Sequence, residues 1–314
     1  MVRSILVPLD GSPFGEHALP LALDLARKAK VSIHLMQVLL PPGSFAPETP
    51  FGDSVLAQRL SDQQKAAQQG YLDTVARRLT AAGVPGVQSW LLDGDIPGMI
   101  RKQAETVGAD LVVMTTHGRG MFARFWLGSV ADELVRSSHV PLLLLHPAEE
   151  TADLEKPPPL KHILLPLDGS ALSERIIPPA LALGGLTGAD FTLAQVVRPP
   201  VPQVLAVEGQ TFGDMAGDLI RHADEVHQRN RTAAEEYLNR VAAPLRNRGL
   251  VVLTRVEVDD SPAAAILRDA QTVDLIALAT HGRSGLKRLF VGSVADKLVR
   301  GASVPVLVLR PTDA

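Results

Sequence analysis

Short apolar runs alternate along the chain with longer segments in which apolar residues recur every three or four positions. In the first half the apolar runs, which predict strands, lie at residues 2–7, 31–38, 87–92, 110–114 and 140–145. The helical spacing predicts helices at about 13–28, 53–82, 95–107 and 129–137. Residues 163–309 repeat this order. Parallel strands need crossover connections, so the alternation predicts a mostly parallel sheet covered by helices on both faces.

Three sequence blocks occur twice, in the same order. Residues 5–12 return at 163–170, residues 116–119 at 280–283, and residues 128–136 at 292–300. The first block recurs after 158 positions and the last after 164, so the second half gains six residues between them. A repeat of this length indicates a duplicated domain. We therefore predict an α/β chain of two tandem doubly wound domains, 1–147 and 160–314, joined by an acidic, proline-stiffened linker at 148–159.

Composition narrows the functional classes. The 314 residues carry a net charge of −3, which gives no basic field for nucleic acid, and they include no cysteine for a disulfide or thiolate site. The first apolar stretch is too short for a signal peptide, and no later run approaches the length of a membrane span. We expect a soluble, cytoplasmic protein that does not bind nucleic acid or a membrane.

Two loops in each half concentrate residues that could carry chemistry. One follows the first strand and holds Asp10 or Asp168; the other follows the fourth strand and contains Gly118 or Gly282. Open parallel sheets bind ligands beyond the carboxyl ends of their strands, so we expect both loops to border one crevice. The second loop leads into a Gly-Ser helix start in each half, and a helix amino terminus favours anions such as phosphate.

Each of these features also has a purely structural interpretation. The aspartates could form turns that lead into the first helix, and the Gly-Ser pairs could be ordinary helix caps. His117 and His281 are interpreted as loop-structuring residues, because no nucleophile and orienting acid accompany them at a recognisable spacing. Residues 118–123 match a dinucleotide-binding pattern, but they follow the fourth strand and the second half breaks the pattern, which argues against a dehydrogenase.

With these motifs in place, the chain resembles the universal stress protein family in its tandem form. The resemblance covers nearly all of both halves and is carried by the V-P-L-D-G-S block, the T-H-G-R turn and the G-S-V-A-D helix start. ATP-binding members carry G-x-x-G, nine residues and then G-S or G-T. Here nine residues separate Gly118 from Gly128, and nine separate Gly282 from Gly292. The first glycine of the pattern is replaced by Thr115 and Ala279.

The resemblance implies a five-stranded parallel sheet in the order 3-2-1-4-5 in each half, and ATP with Mg²⁺ as the ligand. It implies that Asp10 and Asp168 contact the nucleoside and that Val38 and Val196 hold adenine through backbone groups. The phosphate-binding residues that it implies are Gly118, Gly128, Ser129 and Val130 in the first half and Gly282, Gly292, Ser293 and Val294 in the second. Family dimers pair their last strands antiparallel, so here the two halves are expected to pair internally, and a homodimer is a further expectation.

These observations lead to the hypothesis of an ATP-binding switch or adaptor in the stress response, acting on an unidentified protein partner. Efficient catalysis is not expected, because no general base for water and no P-loop machinery are recognisable, so any ATP hydrolysis should be slow. The first alternative is a nucleotide-free scaffold of the same fold, motivated by Thr115 and Ala279. An adenylating synthase is a third interpretation, but it would need an acceptor pocket for which the sequence has no motif.

Overall fold

The computed structural model describes residues 2–40, 54–116, 127–147, 151–199, 212–280 and 292–311. The first half contains β1 (Ser4–Pro8), a 3-10 turn (Gly15–Ala18), α1 (Leu19–Ala29), β2 (Ser32–Leu39), α2 (Ser54–Ala81), β3 (Val87–Asp93), α3 (Ile96–Thr106), β4 (Leu111–Thr115), α4 (Ser129–Ser137) and β5 (Leu142–Leu145). The second half contains β6 (His162–Pro166), α5 (Ala171–Glu174), α6 (Ile177–Thr187), β7 (Asp190–Val197), α7 (Phe212–Arg246), β8 (Val252–Val258), α8 (Pro262–Asp269), a 3-10 turn (Ala270–Thr272), β9 (Leu275–Ala279), α9 (Ser293–Gly301) and β10 (Val306–Leu309).

The ten strands form one sheet in the order β3-β2-β1-β4-β5-β10-β9-β6-β7-β8. Within each half every pairing is parallel, and the order is the predicted 3-2-1-4-5, so the fold class is confirmed. The halves join through β5 and β10, which run antiparallel with Leu143 opposite Leu307. The expectation of internal pairing through the last strands is therefore correct.

The core lies in two layers, one on each face of the sheet. Neighbouring strand residues point to opposite faces, and Ile5 and Leu6 show this directly: both are fully buried, in different layers. One layer packs the sheet against α1, α2, α6 and α7, and the other packs it against α3, α4, α8 and α9. Burial on both faces explains why the strands appear in the sequence as continuous apolar runs.

The start of the first helix differs from the sequence expectation. Ser12 Oγ accepts a hydrogen bond at 3.1 Å from the backbone N–H of Gly15, the first residue of the turn that follows. That turn is a 3-10 helix, however, and the α-helix begins only at Leu19. Proline is best tolerated in the first turn of an α-helix, where no N–H is needed, so Pro20 is accommodated when the helix begins immediately before it.

The segment between the two halves has no regular secondary structure where it is described. Residues 151–161 cover most of the predicted linker and the two residues after it, and they form neither helix nor strand. The exact domain boundaries stay a prediction.

In the described ranges, no helix combines the length and apolar character required to cross a bilayer.

Candidate functional site

A cleft of about 910 Å³ opens at the carboxyl ends of β6, β7 and β9 in the second half. The strand order reverses at β6, which lies between β9 and β7, and such reversal points are where open parallel sheets bind ligands. The cleft is lined by five of the six residues that the sequence singled out in this half: Asp168, Val196, Gly292, Ser293 and Val294. The sixth, Gly282, lies outside the described residues, as does His281.

Asp168 forms the turn that the sequence suggested and also lines the cleft. Its Oδ1 accepts hydrogen bonds from the backbone N–H and the hydroxyl of Ser170, at 2.9 and 2.6 Å. Ser170 Oγ in turn accepts the N–H of Ser173 at 3.1 Å and so caps α5. In the first half Asp10 forms the same turn with Ser12, at 3.0 and 2.7 Å. The turn interpretation is therefore correct, and it presents the Asp168 carboxylate to the cleft.

The backbone of Val196 faces the part of the cleft beyond the end of β6. The carbonyl of Ala194 accepts the N–H of Leu167 on the β6 side, whereas the carbonyl of Val197 accepts the N–H of Asp259 on the β8 side. Alternate residues of a strand direct their backbone groups to the same side. The backbone N–H and C=O of Val196 therefore point to the same side as those of Ala194, towards β6. Pairing of β6 with β7 ends at Ala194, so that strand does not cover the peptide groups of Val196.

The Gly-Ser corner before α9 is held by a backbone hydrogen bond. The N–H of Gly292 donates to the carbonyl of Thr280 at 2.8 Å, and Gly128 donates in the same way to Thr116. The glycine amide is thus engaged, and the donors left for an anion are the first-turn amides of residues 293–295. A Cβ on Gly292 would lie 3.0 Å from the Thr280 carbonyl oxygen, so this close approach explains the glycine.

The serine that follows this glycine does not cap the helix. Gly292 and Gly128 occupy the cap positions of α9 and α4, and neither helix has a side-chain cap. Ser293 is the first helical residue, and its side chain lines the cleft. The pairs therefore do mark helix starts, with the glycine as the cap residue, but the serine hydroxyl does not cap the helix, because it stands one residue too late to reach the first-turn amides.

Helix α7 supplies cleft residues that sequence reasoning missed. Tyr237 donates a hydrogen bond from its hydroxyl to Glu174 Oε1 at 3.1 Å, and burial together with the charge of Glu174 raises its pKa. The guanidinium of Arg240 lies 5.8 Å from the centre of the Tyr237 ring, and Arg240 and Arg198 both line the cleft. A signal was available, since Tyr237 and Glu174 recur as Tyr71 and Glu16 in the first half.

The first half places its candidate residues on the equivalent elements. Asp10 follows β1, Val38 lies near the end of β2, and Gly128, Ser129 and Val130 open α4. Gly118 and His117 lie outside the described residues. In the part of the chain that the structure describes, no three histidine, aspartate or glutamate side chains are grouped as metal ligands would be.

Comparison with known proteins agrees with this architecture. Two universal stress proteins of Mycobacterium tuberculosis, Rv1996 and Rv2623, are 26% and 25% identical to the chain. Both alignments cover 98% of the chain, and they cover 94% and 96% of the respective relatives. A solved universal stress protein from Archaeoglobus fulgidus shares the fold, with a TM-score of 0.63, 21% identity and 98% of each chain covered. The model of the universal stress protein family matches residues 1–146 and 159–310, so this chain belongs to the universal stress protein family and carries its domain twice.

Proposed function

We propose that the second-half cleft binds an adenine nucleotide and that the chain acts as a nucleotide-dependent switch or adaptor. The observation that carries the proposal is the convergence of Asp168, Val196 and the start of α9 on one cleft. These residues come from three segments that lie far apart in the sequence. Each of the three segments could bind a different part of one ligand.

The size and charge of the cleft suit such a ligand. Small-molecule sites typically measure about 300–1,000 Å³, and this cleft falls within that range. The first-turn amides of α9 and the positive end of its dipole favour an anion, and a helix terminus contributes roughly 0.3–2 kcal/mol to such binding. Arg198 and Arg240 add two cations at the rim. Together these groups favour a polyphosphate.

The nucleoside would occupy the other end of the cleft. The backbone N–H and C=O of Val196 offer one donor and one acceptor, which is what the edge of an adenine base requires. The carboxylate of Asp168 can accept further hydrogen bonds beyond the two from Ser170, and ribose hydroxyls are suitable donors. Mg²⁺ would neutralise phosphate charge. It commonly keeps several waters and binds substrate phosphates, so it does not need a cage of carboxylates in the protein.

A switch or adaptor is favoured over an efficient enzyme. Among the described residues that line the cleft, Asp168 is the sole carboxylate, and the proposed binding mode places it at the ribose, away from the phosphates. A general base for water needs a free acceptor within reach of the attacking oxygen. We therefore expect the bound nucleotide to persist and to act through the surface that it stabilises.

Isothermal titration calorimetry with ATP and MgCl₂ tests the proposal. Saturable heat is expected with the wild-type protein, and Gly292→Val should weaken binding by about tenfold or more, because its side chain crowds Thr280 and displaces the start of α9. Gly185→Val is the matched control, since Gly185 is an exposed helical glycine with open space around it. Equal affinities for the two variants would contradict the proposed phosphate corner.

A nucleotide-free scaffold is the second candidate function. It is favoured by Thr115 and Ala279, which stand where ATP-binding relatives have the first glycine of their loop motif. The same calorimetric titration separates the two functions, because a scaffold without a nucleotide site would give no saturable heat with ATP.

A further inference from the structure

A glutamine near the end of the second strand is common to both halves, but the helix residue opposite it differs between them. Gln195 lies 158 positions after Gln37, near the end of the corresponding strand. On the long helices the offset is 166: Tyr237 corresponds to Tyr71, and three residues earlier Ala234 corresponds to Gln68. Glycines with positive φ, Gly83 and Gly249, follow these helices at the same offset and confirm the alignment.

In the first half the matched positions are joined by a hydrogen bond. Gln37 Nε2 donates to Gln68 Oε1 at 2.7 Å, and Gln37 is only 4% exposed. The bond ties the end of β2 to the facing surface of α2. The side chain of Gln68 thus occupies the space next to the strand end, at the position that corresponds to a cleft wall in the second half.

In the second half the same space is open. Ala234 is 4% exposed and lines the cleft, and its methyl group cannot reach Gln195 as Gln68 reaches Gln37. Gln195 also lines the cleft and is 9% exposed, and its side chain makes no hydrogen bond with any described residue. The Oε1 atoms of Gln37 and Gln195 are both buried without a partner, so the halves differ at the amide nitrogen. In the second half a ligand or water in the cleft can accept the hydrogen bond that Gln195 Nε2 does not donate to any described residue.

A second difference acts in the same direction. Ala279 at the end of β9 lines the cleft, whereas the first half has the larger, β-branched Thr115 at the end of β4, where it is 7% exposed. Two independent substitutions, on a helix and on a strand, thus add atoms to the first-half crevice at positions that are alanine in the second half.

We propose that only the second half holds nucleotide, and that Gln68 in the first half and Ala234 in the second determine this difference. The inference rests on the proposed function and adds to it which site is used. Gln195 is then a further ligand contact, since its amide can both donate to and accept from a nucleoside hydroxyl. The first half keeps the same turn and helix start, with Gln68 in the space that is open beside Gln195 in the second half, and serves as the structural partner of the binding half.

Exchange of the two side chains tests this inference, with ATP and MgCl₂ as the ligand, calorimetry for affinity and native mass spectrometry for stoichiometry. We expect one nucleotide per wild-type chain. Ala234→Gln should weaken binding by about tenfold or more, because the new amide reaches Gln195 and fills the cleft. Ala243→Gln is the control, since Ala243 is exposed on the same helix away from the cleft.

The reciprocal change should create a site. The double variant Gln68→Ala, Thr115→Ala is expected to bind a second nucleotide, whereas Gln63→Ala, an exposed change on the same helix, should not. This gain of binding does not depend on whether Ala234→Gln folds normally.

The possible outcomes separate this inference from the proposed function. Two nucleotides of similar affinity per wild-type chain, or an unaltered affinity in Ala234→Gln, would overturn the difference between the halves and leave nucleotide binding intact. Failure of the double variant to gain a site would overturn the role of Gln68. Absence of ATP binding by the wild-type protein would overturn the proposed function and this inference together.

Discussion

Arg300 in the second half donates a hydrogen bond to Asp132 in the first, with 3.2 Å between Nη2 and Oδ1. Asp132 also accepts from Arg136 on its own helix, and Arg300 donates to Asp296 on its own helix. The hydrogen bond to Asp132, with the charges of Asp132 and Asp296, raises the pKa of Arg136. The repeated helix that begins at the Gly-Ser corner therefore also joins the two halves, through a cluster of four charges.

Loss of one member of this cluster should weaken the contact between the halves. Arg300→Met is expected to lower the free energy of unfolding by about 0.5–1 kcal/mol, because the pair is partly exposed and salt screens it. Urea unfolding at low and high salt measures the effect, which should shrink at high salt. Lys297→Met, an exposed change on the same helix, is the control, and an equal loss in both variants would contradict a specific role of Arg300.

Two adjacent glycines of α6 should respond in opposite ways to alanine. A Cβ on Gly184 would clash with Phe191 Cζ, in the buried contact between α6 and β7, whereas a Cβ on Gly185 meets nothing within 4 Å. Gly184→Ala should destabilise the protein by about 1–3 kcal/mol through overpacking. Gly185→Ala should stabilise it by up to about 1 kcal/mol, because alanine favours the helix. Thermal unfolding of the two variants measures the difference. Similar melting temperatures for Gly184→Ala and Gly185→Ala would argue against the packing of Phe191 on α6.

The tyrosines should resist ionisation in the folded state. The chain has two, Tyr71 and Tyr237, and burial followed by the neighbouring Glu16 or Glu174 raises the pKa of each above 10.0. A phenol with a raised pKa stabilises the fold below its unfolded pKa, and this contribution is lost as the pH rises above it. We expect little tyrosinate absorbance in the folded protein at about pH 10.5, about three-quarters of the full absorbance in urea at the same pH, and decreasing stability above about pH 10.

A control variant separates the effect of the neighbouring charge on the tyrosine pKa from the effect of burial. Glu174→Gln removes the neighbouring charge and should lower the pKa of Tyr237 while leaving that of Tyr71 raised. Spectrophotometric titration should then show one tyrosine ionising earlier than in the wild-type protein. A normal titration of both tyrosines in the folded wild-type protein would contradict their burial.

The observed turn role of Asp168 and its proposed ligand role can be separated by a single change. Asp168→Asn keeps an oxygen that can accept from Ser170, so the turn and the melting temperature should be nearly unaltered. The acceptor-only carboxylate is lost, and the affinity for ATP should fall by about tenfold. Asp168→Ala should lose both binding and stability. If Asp168→Asn binds ATP as tightly as the wild-type protein, the carboxylate serves the turn alone.

Much of the site was recognisable because its residues sit at ends of elements with strong local patterns. Asp168 follows an apolar strand and precedes a serine, which predicts a turn, and the Gly-Ser pair before an amphipathic segment marks a helix start. Both features occur in each half of the sequence, and this repetition indicated that they have a structural or functional role. What the local pattern did not show was that the amide of Gly292 donates to the carbonyl of Thr280, because these two residues are not near neighbours in the sequence.

The asymmetry of the halves also became visible only in three dimensions. In the sequence Gln68 and Ala234 are two unremarkable positions on polar helices, and nothing local connects Gln68 with Gln37, which lies 31 residues away. Tyr237 and Arg240 were missed for the same reason, since helical spacing does not say which face of α7 closes over the ends of the strands.

The sequence by itself determined the duplication, the alternation of strands and helices and the turns that carry Asp10 and Asp168, because these depend on short-range periodicity and on residues with strong local preferences. Tertiary structure alone decided the open backbone of Val196, the position of Gln195 and Ala234 on one cleft and the hydrogen bond from Arg300 to Asp132. Each of these requires segments distant in the chain to meet at a defined register, and register is set by the packing of the whole sheet.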